Sequence, residues 1–177
     1  MRIAGLQPDA RHLCANLVYI ARLDRSEDER AALEDEWGSR IDGQAAIRKL
    51  AREWEDHELA GDDRRKGAVS RSMVLSAPRG SDPQKVLEAA REWAHKEFSD
   101  RSWVMALHTD TANPHAHITY AIRGADLARW NPRRGDLYRQ RKAWARELTA
   151  RGIPVVATTV PDRILARQRR VSVKVER

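Results

Sequence analysis

One short segment of the chain concentrates residues that can bind a metal ion, His108, His115 and His117. Strand-like segments over 103–107 and 116–122 enclose a polar loop, so the sequence predicts a β-hairpin. Because side chains alternate between the faces of a strand, His115 and His117 project from one face, and His108 at the end of the partner strand can reach the same side. Three imidazoles that leave coordination positions open are typical of a catalytic metal site.

The plain alternative is a polar hairpin that carries surface histidines. Three of the chain's six histidines have this spacing on one face, which favours the metal site. Asp110 could orient one imidazole through its second ring nitrogen. The site contains no cysteine, which argues against a zinc finger, and three imidazoles by themselves suit zinc, manganese or nickel.

Composition predicts one globular domain over residues 1–177. The chain is 41% hydrophobic and 33% charged, and its length is enough to bury a core. It has no apolar stretch of membrane-spanning length and no signal-peptide pattern, so we expect a cytoplasmic protein without a membrane contact. Cys14 has no partner for an internal disulfide, and we expect a small core residue there.

The net charge of +7 is unevenly distributed along the chain. Residues 1–122 hold 18 basic against 21 acidic side chains, whereas residues 123–177 hold 15 against 5. A basic segment that follows a metal site suggests a phosphate-rich partner, and the alternative is a solvated basic face or tail.

Hydrophobic periodicity predicts helices on both sides of the hairpin. Asp9 and the pair Asp82-Pro83 are helix-start signals, and Gly152 is a helix stop. The predicted helices and strands are a helix from Asp9 to near Leu23, two amphipathic helices in a charged insertion over about 24–67, a strand over 71–77, a helix from Asp82, the hairpin, a helix over 136–151, a strand over 153–160, a short helix over 161–170 and an edge strand over 171–175.

This order lacks the regular alternation of strand and helix that a doubly wound sheet requires. It favours an α+β fold, with a central antiparallel sheet flanked by helices. We expect the tryptophans to lie mostly in the core, and we consider Trp130, in a basic loop, as a platform for stacking a base.

A metal ion beside a basic groove can polarise a phosphodiester, and cleavage then needs water or a side chain as nucleophile. A tyrosine nucleophile would keep the phosphoryl group as an ester, so the strand could be rejoined later. Tyr120 points away from His115 and His117, and Tyr138 lies among arginines. Tyr19 remains, although its spacing alone also fits an amphipathic core tyrosine.

Three successive patterns resemble the motifs of MobP-class relaxases, which belong to the HUH endonuclease group. They are Leu17-Val-Tyr-Ile-Ala-Arg22, the strand Met73-Val-Leu-Ser76, and His108-x-Asp110 followed by Pro114-His-x-His-Ile118. The resemblance extends over about residues 13–153. Only Met1–Leu6 precede the tyrosine helix, so the chain either starts late or pairs a very short first strand.

The resemblance implies a role for each motif residue. Tyr19 would be the nucleophile, the three histidines would bind a divalent cation, Mg²⁺ or Mn²⁺, and Asp110 would be a supporting acid. Ser76 would contact DNA near the cut. Arginines after the strand and in the basic segment are further candidates for DNA binding: Arg79, Arg123, Arg133, Arg134, Arg139 and Arg141.

The implied function is site- and strand-specific nicking of single-stranded DNA at a plasmid transfer origin through a 5′-phosphotyrosyl intermediate. The resemblance also implies relaxosome accessory proteins and a type IV secretion coupling protein as partners. The chain would be either a nicking domain of a longer relaxase or a small mobilization relaxase. Alternatives are a rolling-circle initiator or transposase of the same group, a metal-dependent hydrolase that uses water, and a non-catalytic DNA-binding module.

Overall fold

The structure, a computed structural model, describes residues 1–60 and 67–157. Its strands are β1 (Arg2–Gln7), β2 (Leu33–Asp35), β3 (Ser70–Ser76), β4 (Trp103–His108) and β5 (His115–Ala121). Its helices are α1 (Ala10–Ala21), α2 (Gly43–Ala60), α3 (Pro83–Glu97) and α4 (Arg134–Ala150), with one turn of 3₁₀ helix over Glu27–Glu29. None of the helices in the described ranges is long and apolar enough to cross a membrane.

The strands form one antiparallel sheet in the order β1-β3-β5-β4-β2. This arrangement confirms the predicted α+β fold with an antiparallel sheet. The predicted hairpin is β4–β5, and His108 pairs with His115 at its closed end. Residues 2–7 form the very short first strand, which pairs with β3 at the edge of the sheet.

Helices cover both faces of the sheet, because alternate residues of the central strands are apolar on each side. One core cluster packs α3 and α4 against Met105, Ile118 and Tyr120. The other packs α1 and α2 against Val104, Ala106 and Ala121. His117 lies between Ala116 and Ile118 in sequence and therefore projects to the α1 and α2 face.

Local signals set most helix boundaries. The Asp9 carboxylate accepts the His12 N–H at 2.8 Å and caps α1. The Asp82 carboxylate accepts the Gln84 N–H at 2.9 Å and caps α3. Gly152 follows α4 with a φ of 78°, in the left-handed region that favours glycine.

Two predictions about elements are wrong. Residues 24–42 contain no α-helix: a 3₁₀ turn leads into β2, which pairs with β4, and only α2 of the two predicted helices forms. Residues 153–157 do not form a strand. The predicted helix over 161–170 and the strand over 171–175 lie outside the described residues.

Candidate active site

The hairpin brings its three histidines together at one end of the sheet. Ring centroids are 4.4 Å apart for His108 and His117, 5.2 Å for His115 and His117, and 5.3 Å for His108 and His115. His108 and His117 are buried, whereas His115 is half-buried. The convergence expected from strand alternation is therefore present.

Backbone carbonyls orient two of these imidazoles. The His108 Nε2–H donates to the Ile20 carbonyl of α1 at 2.7 Å, and the His115 Nδ1–H donates to the Asn113 carbonyl at 3.0 Å. Because a carbonyl only accepts, the other nitrogen of each neutral ring carries the lone pair. These bonds leave Nδ1 of His108 and Nε2 of His115 free to bind a metal.

Burial keeps two imidazoles of the triad, His108 and His117, neutral. It lowers the pKa of His117 to about 3, with further lowering by the neighbouring His108 and His115 and by Arg2 and Arg22. Burial also lowers the pKa of His108, against a raising contribution from its hydrogen bond to Ile20. Neutral imidazoles are the form that binds metal ions.

The triad fits a metal ion. One nitrogen from each of the three histidines lies within 4.8 Å of the others. Two imidazole nitrogens on one ion, each about 2.1 Å from it, lie at most about 4.2 Å apart, so small side-chain rotations bring all three onto a common ion. Three protein ligands would leave coordination positions open for oxygen atoms of a substrate.

Tyr19 lies beside this triad, near the end of α1. Its ring meets the His117 ring edge-on, with centroids 6.1 Å apart and an interplanar angle of 79°. The side chain is 63% exposed, whereas Leu17 and Ile20 on the same helix are fully buried. Tyr19 is therefore not a core residue, and its hydroxyl is accessible at the edge of the triad.

The end of α1 is fastened to the hairpin by two contacts. Ile20 accepts the His108 hydrogen bond, and the Arg22 guanidinium pairs with the Asp110 carboxylate at 2.5 Å. This ion pair holds the pKa of Asp110 below its usual value. The expectation that Asp110 orients an imidazole is wrong: among the described residues its carboxylate binds Arg22, and backbone carbonyls orient the rings.

Two of the predicted DNA contacts lie at the same end of the sheet. Ser76 ends β3, pairs with His115 and is exposed. Arg79 follows in an exposed loop. The Gly80 N–H of this loop donates to the Ala112 carbonyl and so joins it to the loop of the hairpin. Both side chains are thus available beside the triad.

The basic residues of α4 belong to the other face of the sheet. Trp144 and Leu148 of this helix pack in the core cluster with Ile118, opposite the imidazoles. Arg133, Arg134 and Arg139 are exposed there, and Arg141 is half-buried. The structure does not bring them together with the triad.

Arg123 is not available to DNA, contrary to the sequence-based expectation. It is 6% exposed, its Nε donates to the Glu58 carbonyl at 2.9 Å, and it pairs with the Glu58 carboxylate at 3.2 Å. It lies just beyond β5, at the end of the sheet opposite the triad. A cleft of about 770 Å³ at that end is lined by four carboxylates and two arginines, so acidic groups outnumber basic ones there: Asp35, Glu36, Glu53, Asp100, Arg101 and Arg123.

Trp130 is a packing residue and not the exposed stacking platform that we considered. Its ring lies 5.3 Å from Tyr120 and 5.7 Å from Phe98, and the Arg101 guanidinium covers it at 5.5 Å. Trp37 does not lie in the core as expected, because its side chain is 84% exposed. The sequence gives no periodic signal there, because Trp37 occupies a tight turn after β2.

Fold and site together define a protein that holds a tyrosine side chain beside a cluster of three histidines that could bind a metal ion, on an antiparallel sheet. The sequence profile of the relaxase family, MobA/VirD2-like nuclease domain, matches residues 19–152. The chain therefore belongs to this relaxase family.

The chain is also similar to two known proteins. The T-DNA border endonuclease VirD2 of Rhizobium radiobacter is 29% identical over 58% of this chain, and the match covers 26% of VirD2. The chain thus spans about a quarter of that relative. A solved structure from work on vancomycin resistance transfer in Staphylococcus aureus shares the fold, with a TM-score of 0.54, 17% identity, and coverage of 85% of this chain and 91% of that one.

Proposed function

We propose that this protein is a site- and strand-specific DNA transesterase that nicks single-stranded DNA at a plasmid transfer origin, for conjugative transfer or mobilization. The observation that carries the proposal is the exposed Tyr19 side chain lying against His117 of the imidazole triad. Family membership supports the same reaction class.

In the proposed step, the Tyr19 oxygen forms a bond to phosphorus and the bond from phosphorus to the 3′ oxygen breaks. The tyrosine proton passes to water, and the departing 3′ oxygen takes up a proton. The products are a 5′-phosphotyrosyl adduct and a free 3′-hydroxyl. Because the adduct remains an ester, attack by a 3′-hydroxyl reverses the step without an external energy source.

We infer that His108, His115 and His117 hold a divalent cation, Mg²⁺ or Mn²⁺, which when bound polarises the scissile phosphate and offsets its developing charge. The protein's own contribution is geometric. The Ile20 and Asn113 carbonyls fix the ring orientations, and the pair of Arg22 and Asp110 fixes the end of the helix that carries Tyr19. Asp110 acts here as a positioning residue.

The remaining predicted contacts are proposals for DNA binding. Ser76 and Arg79 suit DNA near the cut, since both are exposed at the end of the sheet that holds the triad. Arg133, Arg134, Arg139 and Arg141 suit DNA that extends around to the α4 face. We also propose a bacterial cytoplasmic location, with relaxosome accessory proteins and a type IV secretion coupling protein as partners.

The decisive experiment is capture of the adduct. Wild-type protein incubated with Mn²⁺ and a labelled oligonucleotide that carries the nick site should give an SDS-resistant band. Tyr19→Phe should abolish the band and leave DNA binding largely intact, because it removes one oxygen from an exposed side chain. Tyr138→Phe is the matched control, and a band lost in that variant instead would contradict the assignment.

A strand-exchange assay separates transesterification from hydrolysis. Two nick-site oligonucleotides of different lengths, one of them labelled, should recombine into a product of new length with wild-type protein and not with Tyr19→Phe. Free 5′-phosphate ends without adduct or recombined product would identify activated water as the nucleophile and overturn the proposal.

A further inference from the structure

Arg2 is a cation on the active-site face that the family motifs do not include. It pairs with Val74 of β3, and Val74 pairs with His117 of β5. Paired residues in adjacent strands project to the same face of a sheet, so Arg2 and His117 share a face. Neighbouring strands lie about 4.8 Å apart, which puts the two Cα atoms about 10 Å from each other.

Among the described residues Arg2 has no acidic partner, unlike Arg22, which pairs with Asp110. Arg2 is exposed, and among residues 1–60 and 67–157 it makes no ion pair. Its exposed guanidinium on this face is therefore available to an anionic ligand.

We propose that Arg2 binds a backbone phosphate of the DNA next to the scissile phosphodiester and so positions that phosphodiester between Tyr19 and the triad. The inference rests on the proposed nicking function. Tyr19 approaches His117 from α1, and Arg2 flanks His117 from the edge strand β1. A single DNA strand that passes over His117 therefore lies between the side chains of Tyr19 and Arg2. Guanidinium and phosphate make charged, directional hydrogen bonds, which suits a positioning role.

The test measures DNA affinity in the Tyr19→Phe background, where binding is not coupled to cleavage. We expect Arg2→Gln to raise the Kd for a nick-site oligonucleotide about tenfold, the size of one lost charged hydrogen bond. The slope of log affinity against log salt should fall by about 0.7. Arg2→Lys should recover most of the salt slope, and Arg52→Gln, an exposed arginine of α2, is the matched control.

A thermodynamic cycle with modified DNA locates the phosphate. Uncharged methylphosphonate linkages are placed one at a time around the nick site, and the linkage at the contacted phosphate should raise the Kd of the protein that carries Arg2. The same linkage should leave the Kd of the Arg2→Gln protein almost unchanged. Thermal unfolding of each variant checks that the fold is unchanged.

Two results would overturn the inference. One is an unchanged Kd and salt slope in Arg2→Gln; the other is a methylphosphonate cost that stays equal in the two proteins at every position. Both leave the nicking proposal standing if the protein with Tyr19 intact still forms the adduct. Failure of that adduct would instead overturn the proposed function.

Discussion

At the scale of single residues, the site combines neutral imidazoles with an accessible phenol. Burial lowers the pKa of His108 and lowers the pKa of His117 to about 3, so both of these rings are neutral. Carbonyls of Ile20 and Asn113 select which ring nitrogens stay free. Tyr19 is exposed, whereas Ile20 in the same turn of α1 is fully buried. The core face of α1 therefore anchors the helix, and the opposite face presents the Tyr19 side chain to solvent.

Loss of one imidazole should weaken metal binding and nicking together. His115 is the best test because it is only half-buried, so His115→Ala leaves little cavity. We expect calorimetry to show Mn²⁺ affinity reduced more than about tenfold, since even loss of an outer partner of a ligand costs about 10- to 100-fold. His12→Ala, at an exposed histidine that bonds Asp9, should bind Mn²⁺ like wild type. Equal affinity in both variants would place the metal elsewhere.

At the scale of elements, the end of α1 determines where Tyr19 lies. Arg22 ends the helix in the left-handed conformation with a φ of 54°, and its N–H bonds to the Tyr19 and Val18 carbonyls. The same residue reaches across to Asp110 beyond β4. The backbone turn and the ion pair therefore both hold the helix end against the hairpin.

Breaking this ion pair should slow nicking without loss of metal binding. Asp110→Ala removes one partner, and Arg22→Gly removes the other while suiting the positive φ. Because small displacements of a reacting group cost up to about 100-fold in rate, we expect single-turnover adduct formation to slow by about 10- to 100-fold in each.

The double variant Asp110→Ala with Arg22→Gly should be no slower than either single variant, since both remove the same contact. Mn²⁺ affinity should stay at the wild-type value throughout. A marked drop in Mn²⁺ affinity for Asp110→Ala would restore the idea that Asp110 orients a metal-binding imidazole.

At the scale of the whole molecule, the two ends of the sheet differ: one carries the candidate active site and the other a structural ionic cluster. One end carries the triad, Tyr19 and Ser76. The opposite end carries an ionic cluster in which the buried Glu58, near the end of α2, binds the buried Arg123 and the exposed Arg129. This cluster joins α2 to the segment that follows β5 and is part of the structural framework.

Arg123 should therefore affect stability and not DNA affinity. Removal of Arg123 leaves the buried Glu58 carboxylate with Arg129 as its remaining ionic partner among the described residues. We therefore expect Arg123→Ala to lower the free energy of unfolding by about 3 kcal/mol in urea titrations, the lower end of the range for a broken buried ion pair. Arg134→Ala, an exposed control, should change it by less than about 0.5 kcal/mol. An Arg123→Ala protein of wild-type stability with weakened DNA binding would return Arg123 to the DNA-binding set.

The sequence by itself determined the features that depend on local spacing. Alternation within a strand places His115 and His117 on one face whatever the rest of the fold does, and the polar loop brings His108 opposite His115. Helix caps at Asp9 and Asp82 act within three residues, so their positions are readable from the chain. The antiparallel sheet also followed from the order of these elements.

Tertiary structure decided what depends on partners distant in sequence. β2 has three residues, too few for a periodic pattern, and forms because Leu33 enters the core and Glu34 binds Arg91 in two hydrogen bonds. Whether an arginine faces DNA or a buried carboxylate is likewise a nonlocal matter, since a guanidinium's role is set by whichever acid the fold brings within about 4 Å. That is why Arg123 lies in the framework, Arg22 holds the helix that carries Tyr19, and Arg2 stays exposed on the face of the imidazoles.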